Sequence, residues 1–251
     1  MRVTICEDKH DMGYQAAKLG ISIIKDAIEK KGHAVIAVAT GLSQFSLYEH
    51  LAKADIDWSK VEAFGLAEYV DLPDTHTSSF RYYLHNRFVQ KVTNLGAFYQ
   101  INGDAENLEE EVKRLNALIK RKKVDVSFLG IGENGHIGFN DPPANFETDD
   151  PYIVVELEDR CRRQQVSEGW FSHIDEVPLK AITMSVRQIL KAKHLICSVP
   201  DQRKARAVAM CLYDQIGVYS PCAALRTKKE CTLFLDRTAS MLVMGDRRQF
   251  Q

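Results

Sequence analysis

The chain has 251 residues, of which 45% are hydrophobic and 27% charged, with a formal net charge of -1. That length can bury a substantial core as one large domain, and the composition is that of an ordinary soluble globular protein. So balanced a charge gives no support to nucleic acid or an anionic membrane as partner.

The N-terminus carries no signal-peptide core, and residues 3–6 read as a short first strand. Met12, Ala16, Leu19, Ile23 and Ala27 then recur at threes and fours, with Ile24 and Ile28 widening the same face, which predicts an amphipathic helix. Lys30-Lys-Gly-His stops it. The apolar run 34–39 predicts a buried strand, and Thr40-Gly-Leu-Ser43 turns from it into a helix reaching about Ala52. A third strand spans 61–66. Thr77-Ser-Ser caps a helix running towards Val89, 98–101 is a brief strand, and 106–121 a charged surface helix.

Residues 124–131 form another apolar run and hence the central strand, 152–157 a further one, and 158–169 a polar helix or lid-like segment. A short helix near 187–191, a buried strand over 194–200 and a helix over 203–212 follow, and 231–235 closes the sheet. The tail after Gly245 reads as frayed. Six scattered cysteines, with no Cys-x-x-Cys pair and several inside apolar runs, read as buried thiols of a reducing compartment. With no run long enough to span a bilayer, a cytoplasmic protein is expected. Neither a repeat nor a low-complexity linker interrupts residues 1–251. Strands alternating with helices therefore predict a single Rossmann-like α/β domain, a mainly parallel central sheet flanked by helices.

The densest chemistry follows the central strand, in Leu129-Gly-Ile-Gly-Glu-Asn-Gly-His-Ile-Gly-Phe-Asn-Asp141. Four glycines let the backbone turn and approach a ligand, while His136, Asn134 and Asp141 supply an imidazole, an amide and a carboxylate. Open α/β sheets place ligands at such strand ends. The Thr40–Ser43 turn, with backbone N–H groups and two hydroxyls at a helix start, suits an anion such as phosphate. Its spacing is not that of a Walker loop.

The 130–142 segment resembles the signature of the glucosamine-6-phosphate deaminase (isomerase) family, and the similarity runs from about Thr40 to the strand at 232–236. That resemblance implies a hexose or hexosamine 6-phosphate as ligand, with ring opening, aldose–ketose isomerisation and loss of ammonia to fructose 6-phosphate. By the same resemblance Thr40, Gly41, Leu42, Ser43 and Lys204 hold the phosphate. His136 passes a proton to and from the ring oxygen, supported by Asp141 and Asn134. Leu42 stands where the family has glycine. The family's phosphate-binding Arg has no assigned match among Arg160, Arg162 and Arg163.

One departure bears on the chemistry. The family reads Asp-Glu-Tyr after the third strand, its Asp being the base at C2; here the sequence is Ala67-Glu-Tyr69. Glu68 matches the family's Glu, and it and Asp71 are the carboxylates nearest in sequence, although strand alternation turns Glu68 away from the side that residue 67 faces. A 6-phosphogluconolactonase-type hydrolase and a non-catalytic sugar-phosphate binding protein are the rival readings. No metal or redox cofactor is expected, because there is neither a His/Cys cluster at ligand spacing nor a dinucleotide fingerprint. A homo-oligomer is compatible with the sequence.

Overall fold

The computed structural model describes residues 1–243. Its main sheet contains β1 (Arg2–Cys6), β2 (Ala34–Val38), β3 (Val61–Gly65), β5 (Ala97–Tyr99), β6 (Val126–Leu129), β9 (His194–Val199) and β10 (Cys231–Asp236). The order across the sheet is β1-β10-β9-β6-β2-β3-β5, and every pairing in it is parallel. β4 (Ala67–Tyr69), β7 (Tyr152–Glu156) and β8 (Lys180–Met184) form a separate antiparallel sheet with β8 in the middle. Two expectations are corrected. The strand at 231–236 is not the edge, because β1 pairs outside it. The chain also leaves the main sheet at Leu66 and enters the second one, so the strand expected over 61–66 stops at Gly65. The tail after Gly245 lies outside the described residues.

The helices are α1 (Lys9–Lys31), α2 (Phe45–Ala52), α3 (Phe80–Leu84), α4 (Leu108–Ile119), α5 (Asp159–Ser167), α6 (Val186–Lys191) and α7 (Ala205–Tyr213). α1 is well specified at both ends. Asp8 accepts from the N–H groups of His10 and Asp11, and Gly32 at φ 80° caps the other end as only glycine does easily. Ser79 caps α3, the residue within the expected Thr77-Ser-Ser run whose hydroxyl meets the N–H of Tyr82.

Each strand of the main sheet feeds two cores by alternation. Along β2, Val35 and Ala37 join the cluster containing Leu115 of α4, Ile189 of α6 and Val208 of α7, whereas Ala34, Ile36 and Val38 join Met12 and Ile24 of α1 and Leu47 of α2. A third cluster, with Tyr69, Phe139 and Phe171, lies under the small sheet. All six cysteines are buried and unbridged. Among the described residues no helix is long and apolar enough to cross a membrane.

Candidate active site

From β2 the chain proceeds to β3 and β5 on one side; from β6 it proceeds to β9 and β10 on the other. The order therefore reverses between β2 and β6, where the loops leaving the strand ends diverge and open a crevice. A cavity of about 650 Å³ occupies this place, lined by Thr40–Ser43, Gly130–Gly132, His136 and Lys204 among others. The sequence therefore brings its expected residues to one edge of the sheet, with Glu68 as the exception.

Thr40, Gly41, Leu42 and Ser43 follow β2 and line the cavity together. Gly41 sits at φ 102°, and its carbonyl accepts from the Tyr83 hydroxyl at 2.9 Å, which pins the turn to α3. Gln44 donates to Ser43 Oγ at 2.9 Å and to the Leu129 carbonyl at 3.2 Å, tying this turn to the end of β6. Lys204 arrives from β9, and its side chain is 10% exposed. Arg203 beside it is engaged by Asp201 at 2.9 Å.

His136 is buried at the cavity wall, its ring laid over Gly132, where a Cβ would collide with it. Its Nδ1 lies 2.9 Å from Asp141 Oδ1, at ion-pair distance though without the alignment of a regular hydrogen bond. Asn134 supports the pair from behind. Its amide donates to Asp141 Oδ1 at 2.9 Å and to Glu158 Oε2 at 2.6 Å, while its Oδ1 accepts from the His136 N–H at 3.1 Å. The Glu158 N–H closes the circuit on Asp141 Oδ2 at 3.0 Å. Burial pushes the Asp141 carboxyl up, but His136, Asn134 and the Glu158 N–H outweigh it and hold the group below its ordinary value. Cys161 also reaches this cluster; burial, and then Asp141, push its thiol well up, so it remains a protonated neighbour.

Ala67 also lines the cavity, on an apolar stretch of wall with Leu66, Phe80 and Phe139. Glu68 does not. Its carboxylate is fully buried behind the wall, where it accepts from the N–H groups of Tyr69, Phe80 and Arg81, from Ser79 Oγ at 2.8 Å and from Arg81 Nε at 3.3 Å. It thus fastens the start of α3, and the fold keeps it apart from the other candidate residues at the cavity. Asp71, at φ 60° and exposed, also lies outside the cavity. Neither carboxylate lines the cavity.

Residues 7–234 match the family model described as glucosamine-6-phosphate isomerases/6-phosphogluconolactonase. The chain belongs to this family. A glucosamine-6-phosphate deaminase of Oenococcus oeni is 31% identical over 229 residues, covering 91% of this chain and 94% of that one. One from Thermoanaerobacter sp. is 32% identical over 249 residues, covering 97% and 95%. A solved structure of a monomeric glucosamine-6-phosphate deaminase superposes with a TM-score of 0.88 at 30% identity, covering 96% of this chain and all of that one. A 6-phosphogluconolactonase from Shewanella baltica, at 18% identity and a TM-score of 0.77, shares the fold.

Against the family pattern, the arginines after β7 supply no cation to the cavity. Arg162 is buried and spends its guanidinium on the Ile174 and Val177 carbonyls and on Asp159, while Arg160 and Arg163 are exposed and none of the three lines the cavity. The same segment instead contributes Glu168, which the sequence reading passed over as part of a polar helix end. Glu168 Oε1 accepts from Lys204 Nζ at 3.0 Å and from Gln164 Nε2 at 2.8 Å, and its Oε2 accepts from Trp170 Nε1 at 3.2 Å. Glu158, Cys161 and Trp170 were missed likewise, because nothing local in the sequence says which way a polar helix faces.

Proposed function

We propose that the cavity binds a hexosamine 6-phosphate and carries glucosamine-6-phosphate deaminase-type chemistry, limited at its proton-transfer step. The observation that supports this most is the pairing of His136 with Asp141 on the wall of a cavity that also holds the Thr40–Ser43 turn and Lys204. The turn and Lys204 would take the phosphate, the turn through oriented dipoles and the lysine as a point charge. With Nδ1 turned to Asp141, Nε2 is the ring nitrogen left for the sugar. From there His136 would give a proton to the ring oxygen as the C1–O bond breaks, the C1 hydroxyl losing its own proton to water as the carbonyl forms, and Asp141 would stabilise the charged imidazole.

Isomerisation then requires a base that lifts the proton from C2 and returns it to C1. The family's base position holds Ala67, whose methyl group cannot do this, and the wall around it is apolar. Ring opening therefore survives while ammonia release is slow. Ammonia released from glucosamine 6-phosphate by the wild type and by Ala67→Asp tests the reading, with the variant faster by on the order of 10²-fold or more. A variant that binds the sugar phosphate yet gains nothing contradicts deaminase chemistry. It would favour the second reading that Ala67 supports, a binding protein that keeps the pocket without turnover.

A further inference from the structure

Resting on the sugar-phosphate reading, we propose that Glu168 is a tethered anion that holds Lys204 in place of a phosphate and so sets the selectivity of the cavity. Only a ligand whose own anionic group displaces Glu168 gains the lysine. Lys204 and Glu168 both line the cavity, and their side chains are 10% and 8% exposed, so the pair is shielded from solvent. The site is built around the carboxylate rather than around the ammonium: Lys204, Gln164 and Trp170 all converge on Glu168. Burial pushes the Glu168 carboxyl up, yet Lys204 and these donors more than offset it and hold the group below its ordinary value, so it is an anion at neutral pH.

The tether reaches both flanks of the cavity. Gln164 also accepts from the Glu133 N–H at 2.8 Å, in the loop that carries His136. The Trp170 ring packs edge-on against Phe45 of α2 and Tyr83 of α3, at 6.2 and 5.9 Å between centroids, and its carbonyl accepts from Ser78 Oγ. Residues 164–170 thus form a strap from the His136 loop to the element that follows the Thr40 turn. A carboxylate carries one charge, whereas a phosphate monoester carries up to two and has three oxygens to offer the lysine. The phosphate therefore wins the exchange where a carboxylate or hydroxyl on the ligand would not.

The test is calorimetric titration of the full chain with glucosamine 6-phosphate and, separately, with glucosamine. Four proteins are compared: wild type, Glu168→Gln, Lys204→Ala and the double variant. Glu168→Gln should bind the phosphate sugar about tenfold or more tightly than wild type, with no gain for glucosamine. That advantage should vanish in the double variant. Trp170→Phe, which removes one donor to Glu168 and keeps an aromatic ring, should raise phosphate-sugar affinity in the same direction. Wild-type binding that depends on Lys204 but is unchanged or weakened by Glu168→Gln overturns the proposal and leaves the sugar-phosphate reading standing. Wild-type binding of glucosamine as tight as that of its 6-phosphate, or no binding of either, overturns the reading and the proposal together.

Discussion

At the scale of single residues, Asp141 links stability to pH in a way that can be measured. Its carboxyl is held below the ordinary value of 3.8, with His136 and Asn134 as the principal opponents of burial. A depressed folded value means the carboxylate adds stability above the unfolded value, and that this contribution is lost as pH falls through the folded one. Asp141→Asn should therefore melt at lower temperature than wild type near neutral pH, with the gap closing below about pH 3.8. A gap that persisted unchanged in acid would place the stabilisation elsewhere. The residues of this dyad were legible, because His136 and Asp141 stand in one glycine-rich run. Glu168 was not: in Val166-Ser-Glu-Gly169 it reads as a solvated helix end, and only the return of β9 brings Lys204 over it.

Among the elements, the loop from Gly130 to Asp141 is held by contacts its sequence does not advertise. The Phe139 N–H donates to Thr183 Oγ1 at 3.0 Å, and the Asn140 amide donates to the Ile137 and Met184 carbonyls at 2.8 and 2.9 Å. The Phe139 ring stacks on Phe80 at 5.2 Å and tilts against Tyr69 at 5.1 Å. This is the physical content of the Phe-Asn pair in the signature: it docks the His136 loop onto β8. Phe139→Ala should cost about 3–5 kcal/mol in a urea unfolding curve, as removal of a buried ring does. Gly132→Ala asks a narrower question. Its Cβ would collide with the His136 ring, so the variant should keep its fold by circular dichroism while losing ring opening. Full activity in that variant would mean the ring is free to sit elsewhere. The second sheet was illegible for a related reason. β4 is three residues long, and its partners at Ala181–Thr183 lie more than a hundred positions away, a distance over which local pattern says nothing.

For the whole molecule, the alternation of strands and helices was enough to predict a parallel α/β sheet, since each buried strand shows as a continuous apolar run. Strand order was not readable, because a run such as Cys231–Asp236 looks the same beside one neighbour or two. What the order creates is the reversal between β2 and β6, and with it a crevice that receives the ends of β2, β6 and β9 at once. On the proposed function, this crevice opens a sugar phosphate ring through His136, while Ala67 leaves the next step without the base at the family's position. A proton NMR time course of glucosamine 6-phosphate in deuterium oxide, with catalytic amounts of the wild-type chain, reads both events in one sample. Exchange between the two anomers should be faster than without protein, while the signal of the proton at C2 persists. Anomer exchange no faster than in buffer would contradict the role given to His136, and rapid loss of the C2 signal would contradict the role given to Ala67.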